Sequence, residues 1–376
     1  MGKHLVLAGG GHAHMTVMRN LERFRQLGHR VTLVSPDPYH YYSGMGPGLL
    51  GGTYRPQQVR FHVRRMVEDR GGTFLADRVV RIDAARRELL LASGTLLPYD
   101  VASFNTGSGV PLAALDAGPG VTAVKPIHQL LEVRQQIRQA LTAGALRLLV
   151  VGGGPAGVEL AGNLWRLVDQ AGGAADIIVL AGRRLLGAFP EGVRRRALAS
   201  LMQRGIAVRE GLHVTSLAGR QALLSDGNRL PFDFALVATG VQPSTIFRDS
   251  GLPVGPDGGL LVNRQLQADG RPELFGGGDC ISFQPRPLAK VGVYAVRQNP
   301  ILFANLMAAL ESRALQPFQP QQAYLLILNL GDGRGVFNRG RLTFGGQWVF
   351  ALKDRIDRAF MARFQVSGEL TEAETE

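Results

Sequence analysis

Cysteine is almost absent: Cys280 is the only one in 376 residues. A lone thiol excludes an intramolecular disulfide, a CxxC redox pair and a cysteine-based zinc cluster. Lysine is nearly as scarce. Of 42 basic residues only Lys3, Lys125, Lys290 and Lys353 are lysines, the other 38 being arginines. A position that keeps lysine here is a candidate for a compact ammonium that a guanidinium fork does not replace. No run of about 18 apolar residues exists, so no spanning helix is expected. The strand-like opening LVLAGGG lacks a signal-peptide layout, and the chain reads as cytoplasmic. The eight histidines form no H-x-x-x-H pair and join no acid-rich set, so no metal is expected. No Ser-His-Asp spacing suggests a hydrolase. The net charge is +12, yet no basic run is interleaved with aromatics and no zinc-finger or RNA-binding signature occurs. The charge therefore points to phosphate-bearing cofactors or anionic lipid, and no nucleic acid is expected as a partner.

What the chain has in excess is glycine, 49 residues without a G-X-Y repeat. Glycine permits tight turns and lets backbone approach a ligand. Residues 4–8 read as a strand, followed by GGGHAH, a helix to about Leu27 and an alternating strand at 30–35. Short strands are expected within 73–91, and a strand from Tyr99 ends in a glycine turn at Gly107. A helix at 128–143 leads into a second strand-turn-helix, LLVVGGGPAGVELAGNL, which starts 143 residues after the first. A strand at 177–181, a helix near 191–204, strands to Gly240 and again over 255–280, and a helix over 293–309 follow. Residues 324–350 read as strands, including QWVFAL, then 351–365 as a helix. The last eleven residues read as an acidic, fraying tail.

Two separated β-α-β units predict an α/β fold of two Rossmann-like domains, one inserted in the other. The expected division is a split first domain at 1–118 and 247–330, an inserted second domain at 119–246, and a C-terminal segment at 331–376.

Each unit carries a phosphate-turn motif. In Gly9-Gly10-Gly11-His12-Ala13-His14, the first glycine gives the tight turn and Gly11 lets backbone N–H groups reach a diphosphate. His14 replaces the last small residue, which predicts looser helix–strand packing. Gly152-Gly153-Gly154-Pro155-Ala156-Gly157 fits G-x-G-x-x-G throughout. The acid expected at the end of the next strand to bind a ribose hydroxyl has Ser35 and Asp37 as candidates after the first turn. After the second turn there is none; Arg183 stands there, suited to a 2′-phosphate. The third motif is Phe275-Gly276-Gly277-Gly278-Asp279-Cys280.

A late strand ending in Gly-Asp, together with Asn105-Thr106-Gly107 and Ala238-Thr239-Gly240, resembles the two-dinucleotide-binding flavoproteins of the pyridine nucleotide-disulfide oxidoreductase superfamily. The resemblance implies FAD at Gly9, Gly10, Gly11, His12, Ala13, Ser35, Ser43, Val79, Thr106, Gly107, Gly278 and Asp279, with Asp279 on the ribityl chain. It implies NAD(P)H at Gly152, Gly154, Pro155, Ala156, Gly157, Arg183 and Gly240. Lacking paired cysteines, the chain is most similar to the type II NADH dehydrogenase branch, with Glu159 at that branch's glutamate and Asn163 where a second acid is common. YYSGMGPGLLGGTY (41–54), VKPI, AKVGVYAVRQNP and KDRIDRAFM resemble the flavoprotein module that some proteins fuse to selenide, water dikinase, here free-standing.

That resemblance implies an FAD-dependent oxidoreductase passing hydride from NAD(P)H to flavin and electrons to an acceptor, a quinone first. A soluble acceptor or a non-catalytic redox sensor are the alternatives. Lys290, before a glycine and a helix start, resembles a flavin-contacting lysine that stabilises the reduced anion. Lys125 is a second candidate near the flavin, and Glu159 a third catalytic candidate. Of the glutamine pair by the quinone only Gln298 survives, and Tyr294 is either an aromatic wall or core. Residues 348–364 place Phe350, Leu352, Ile356, Phe360 and Phe364 on one helix face. That face either touches an anionic membrane at its inner surface, caps the flavin domain, or joins two copies in a homodimer.

Overall fold

The computed structural model describes residues 2–372. The strand His4–Ala8 is buried along its whole length, as a strand covered on both faces must be. It lies between Arg30–Ser35 and Val101–Phe104, parallel to both, with Leu5 level with Val31 and Val101. Thr73–Ala76 extends the sheet on one side. Arg271–Gly276 extends it on the other, leading to Gln267–Ala268, Leu260–Val262 and Ile281–Phe283. One eight-stranded sheet is thus built from both ends of the chain. Between them, a five-stranded parallel sheet runs in the order Val121–Ala123, Phe234–Val237, Leu146–Val151, Ala175–Leu180, Ala207–Arg209. The inserted-domain topology follows directly. Each sheet is accompanied by a three-stranded antiparallel one, spanning 79–98 and 214–231.

At the end of His4–Ala8 the chain reverses through Gly9, whose φ of +90° suits glycine. A side chain there would meet the Asn105 carbonyl. The expected single helix is three short pieces, His12–His14, Met15–Arg19 and Leu21–Gln26. The break falls at Asn20, whose amide turns back to the Thr16 carbonyl at 2.8 Å, the competition with backbone bonding typical of Asn. His14 does not loosen the packing. Its ring is fully buried, with Nδ1 2.7 Å from the Gly9 carbonyl and Nε2 2.8 Å from Ser103 Oγ. Burial lowers its pKa to about 4, so the neutral ring bridges turn and sheet where a small residue would let them touch.

The C-terminal segment differs most from expectation. Its antiparallel sheet begins at Leu326–Asn329, ahead of residue 331, and continues through Gly335–Arg339 and Leu342–Gly346. QWVFAL is not a strand: the helix starts at Gln347 and runs to Phe364. Gly346, at φ +141°, turns the chain out of the sheet, and a short apolar run does not by period distinguish strand from helix. The buried face of this helix is Val349, Lys353, Asp357, Met361 and Phe364. It is rotated from the expected stripe, leaving Ile356 exposed while Phe360 sits against Tyr42 and Phe61. The tail does not fray as far as Glu372. Glu369 is buried and accepts from the His62 and Ser367 N–H groups, and Glu372 pairs with Arg60 at 2.7 Å. Its final residues, 373–376, lie outside the described part. Among the described residues no helix is long and apolar enough to cross a membrane.

Replacing His14 with Ala removes a buried ring and leaves the Ser103 hydroxyl and the Gly9 carbonyl without it. We expect a loss of about 2–4 kcal/mol in chemical denaturation; a loss below about 0.5 kcal/mol would mean the turn closes without the ring.

Candidate active site

Two glycine turns sit at the carboxyl ends of parallel strands in the two large sheets, where open α/β sheets bind ligands. In the first, Asn105 joins the motifs: its Oδ1 accepts the Ala13 N–H at 2.9 Å and its Nδ2 donates to the Gly277 carbonyl at 2.6 Å. Gly278, at φ +77°, donates its N–H to Gln298 Oε1 at 2.7 Å. Gln298 is thereby buried in a backbone-holding role rather than turned towards an acceptor. Asp279 Oδ2 receives Ser108 Oγ at 2.9 Å and Lys125 Nζ at 2.5 Å. Thr106 and Gly107 lie beside the Cys280 thiol, which burial pushes up; Cys280 is fully enclosed.

Lys290 lines a small cavity together with Gly278, Asp279, Tyr294 and Gln298. Its ammonium is 2.7 Å from Asp257 Oδ2 and also binds the Ile281 carbonyl. Tyr294 is nearly buried and edge-on to Tyr324. Ser35 Oγ donates to the Asp37 carbonyl at 3.1 Å. Ser43 faces Gly292 at the start of the helix Gly292–Leu310. Val79 is buried at the start of Val79–Asp83.

In the second turn Gly152 has φ +136°, and a side chain there would meet the Ala238 carbonyl. Gly157 packs directly on the Gly152 carbonyl, which fixes helix against strand, while a Cβ on Gly154 or Gly240 would meet nothing. Pro155 opens the helix Pro155–Gln170, where its missing N–H costs no bond. Arg183 is exposed beyond the strand Ala175–Leu180. The nearby carboxylate of Glu210 is engaged by the Leu185 N–H at 2.8 Å and by Arg194 at 3.0 Å.

Between the two turns lies a cluster of charged groups. Glu159, on the helix Pro155–Gln170, accepts the Asn329 N–H at 2.8 Å. Lys353 Nζ donates to the Gly44 carbonyl at 2.7 Å and to Asp357 Oδ2 at 2.6 Å. Tyr42 donates its hydroxyl to Asp357 Oδ1 at 3.1 Å. Loss of hydration pushes the Glu159 carboxyl up to about 7, against the pull of Lys353 and the Asn329 N–H. Burial likewise raises Asp357 and Tyr42. The cluster ties the helix Pro155–Gln170 of the second domain, the Tyr42–Gly44 segment of the first and the C-terminal helix to one another.

The family described as pyridine nucleotide-disulphide oxidoreductase matches residues 3–298. The chain belongs to that family. Its relatives include the demethylphylloquinone reductase NdbB of Synechocystis, 30% identical over 273 residues, 68% of this chain and 66% of that protein. The type II NADH:quinone oxidoreductase of Haemophilus influenzae is 24% identical over 402 residues, covering 92% of this chain and 90% of the relative. The chain spans about two thirds of the length of the Synechocystis protein and nearly all of the Haemophilus one. The fold is shared with NDH2 from Plasmodium falciparum, solved with NADH, at a TM-score of 0.83 and 14% identity over 98% of each chain.

The family member described here is an oxidoreductase that uses FAD and NAD(P)H. The residues fit those cofactors on two observations. His12 Nε2 is buried at the first turn without a hydrogen-bond partner, and the second turn is free of side chains in front of Gly154.

Ser108, His40 and Asn329 lie in no sequence motif, and Tyr42 and Asp357, though within YYSGMGPGLLGGTY and KDRIDRAFM, are brought together only by the fold. Lys353 carried a signal, being one of the four lysines. Each of the four is bound: Lys3 to the Leu310 carbonyl, Lys125 to Asp279, Lys290 to Asp257 and Lys353 to Asp357. Asn163, in place of the second acid, donates to the Glu159 carbonyl at 2.8 Å.

Glu159 titrates higher in the fold than unfolded, so the native state holds its proton between about 4.5 and 7. Its contribution to stability is full below the unfolded value and is lost as pH rises through 7. Glu159→Gln, neutral throughout, should be less sensitive to pH over that window. It should gain on the wild type by on the order of 3 kcal/mol between pH 4 and pH 8, read by denaturant titration. Parallel pH curves for the two proteins would mean that Glu159 stays ionised.

Proposed function

We propose that this chain oxidises NAD(P)H and reduces a quinone presented at a membrane surface. The observation that carries the reading is the charged cluster Glu159–Lys353–Asp357–Tyr42, which joins the helix after the nicotinamide turn to the C-terminal helix in a chain whose one thiol is buried. With no cysteine pair to carry electrons onward, a direct acceptor is required, and the names of the Synechocystis and Haemophilus relatives specify quinones. FAD, when bound, would supply the two-electron redox chemistry that connects NAD(P)H to the acceptor.

The chain's own residues bind, orient and tune. Gly9, Gly10, Gly11, His12 and Ala13 form the turn for the FAD diphosphate. Ser35, Ser43, Val79, Thr106, Gly107 and Gly278 line the rest of the cofactor's course, and Asp279, held by Lys125 and Ser108, takes the ribityl hydroxyls. Gly152, Gly154, Pro155, Ala156, Gly157 and Gly240 hold NAD(P)H, and Arg183 meets a 2′-phosphate, so NADPH serves as well as NADH. Glu159 holds a proton beside the nicotinamide site, next to the Lys353–Asp357 pair. Lys290, paired with Asp257, and Lys125, paired with Asp279, place their ammoniums on the flavin side.

Membrane contact is assigned to the hairpin and helix of the C-terminal segment. Leu342, Trp348 and Ile356 are exposed at 64%, 57% and 43%, and Phe344 stacks on Trp348 at 4.8 Å. Arg339, Arg341 and Arg355 are exposed around them. Apolar side chains ringed by cations suit an anionic interface.

One assay tests acceptor and surface together: NAD(P)H oxidation with a quinone in anionic vesicles, in neutral vesicles, and with soluble acceptors. Turnover should be fastest with quinone in anionic vesicles, and Trp348→Ser should remove most of the vesicle advantage while sparing a water-soluble quinone. Faster turnover with a soluble non-quinone acceptor would favour the soluble-acceptor alternative.

Lys290→Met removes one cation from the flavin side. At about 1–3 kcal/mol for a charged interaction and about 30 mV per 1.4 kcal/mol for a two-electron couple, the midpoint potential should fall by some tens of millivolts. An unchanged potential with FAD fully bound would leave that role to Lys125.

A further inference from the structure

The imidazole of His12 in the first turn meets that of His40 on the strand His40–Tyr41. His12 Nδ1 lies 3.0 Å from His40 Nε2. The His12 ring is held edge-on by Tyr42 at 5.3 Å and stacked on Phe360 at 5.9 Å, so it does not swing freely. His12 is buried and its Nε2 has no hydrogen-bond partner, whereas His40 is half-buried. Burial and the field of Lys125 push His12 down to about 3 and His40 well below its usual range. Both rings are neutral near pH 7, and each carries one proton.

That leaves two arrangements. If His12 donates from Nδ1, its Nε2 is a bare lone pair sealed beside the glycine turn, facing a dinucleotide that carries a negatively charged diphosphate. If His40 donates from Nε2, the proton of His12 sits on Nε2 as a donor. The remaining lone pair, on His40 Nδ1, then belongs to the half-buried ring that water reaches. The second arrangement matches a donor to the buried anion and an acceptor to water, so neither is stranded.

We propose that His40 and His12 form a tautomer-fixing dyad in which His40 holds the proton of His12 on Nε2 as a hydrogen-bond donor to the diphosphate of the bound dinucleotide. His12 is the binding residue and His40 a positioning residue acting through it. The inference rests on the assignment of FAD to the first turn.

The test uses flavin-loaded protein. Release of FAD on dilution is followed by the rise in flavin fluorescence. His12→Phe keeps the ring and its stacking but loses both nitrogens, and release should quicken at least tenfold. His40→Phe leaves the His12 tautomer unfixed, and release should quicken severalfold. The double variant should match His12→Phe alone, because His40 acts only through His12. Wild-type release from His12→Phe, or single effects that multiply in the double, would overturn the dyad.

A second measurement does not depend on any variant folding. In 15N-histidine-labelled holoprotein, His12 should show a protonated Nε2 and an unprotonated Nδ1; the opposite tautomer sinks the proposal. The 31P signals of the bound diphosphate should shift in His12→Phe, and unmoved signals would take the donor away from the diphosphate. A wild-type protein purified without flavin absorption would fail at the earlier step, the FAD assignment itself, and the dyad with it.

Discussion

The Asn105 carboxamide is the smallest part on which the most structure depends. It receives the Ala13 N–H and binds the Gly277 carbonyl, partners 92 and 172 residues away in sequence. Both bonds are buried, where an unpaired amide is costly, so the three strand ends carrying the first, middle and last motifs are fixed to one another. Asp279 follows that lock by two residues, and its carboxylate position is inherited from it. The split of the first domain by the inserted one is tolerated because this carboxamide and the shared sheet rejoin what the chain separates.

Charge is used sparingly in the interior and held by partners: Arg60 by Glu372, Lys353 by Asp357, and Glu369 by two backbone N–H groups. An isolated ion in a low-dielectric interior is expensive, and each buried ammonium here meets a carboxylate or a carbonyl. Lys125–Asp279 joins segments distant in sequence, whereas Lys353–Asp357 lies within one helix and reaches a distant segment through the Gly44 carbonyl. Lys125, leaving the first domain, binds Asp279 near the end of the eight-stranded sheet. Lys353, on the C-terminal helix, binds Asp357 and reaches Gly44. The C-terminal segment is therefore a structural partner of the site as well as a surface. Its inner helix face completes the cluster around Glu159, while Leu342 on its hairpin and Trp348 in the first turn of the helix stay in water. One helix divides its residues between these tasks by 3.6-residue periodicity.

The first turn deviates from the motif in one contact. A histidine replaces the small residue that closes a Rossmann turn, and the space between helix and sheet is filled by a ring that bonds both. The close helix–strand contact seen at Gly157 in the second domain is thus replaced by the bridge through His14. Two versions of one motif in the same chain reach a stable turn by different means: backbone contact in one, a buried neutral imidazole in the other.

Local spacing was enough to determine the two glycine turns, the strands that feed them, the inserted-domain order and the terminal Gly278-Asp279. These depend on residues near one another in sequence, where glycine, strand period and helix start act directly. The single cysteine and the four lysines were legible for the same reason, since counting needs no fold. The tertiary structure alone decided which lysine meets which acid, that Gln298 serves Gly278, and that the C-terminal helix turns Lys353 and Asp357 inward. It alone brought His40 to His12 and Tyr42 to Asp357. Those contacts are fixed by how sheets, loop and helix pack in three dimensions, and a buried polar group takes whichever partner the packing brings within reach.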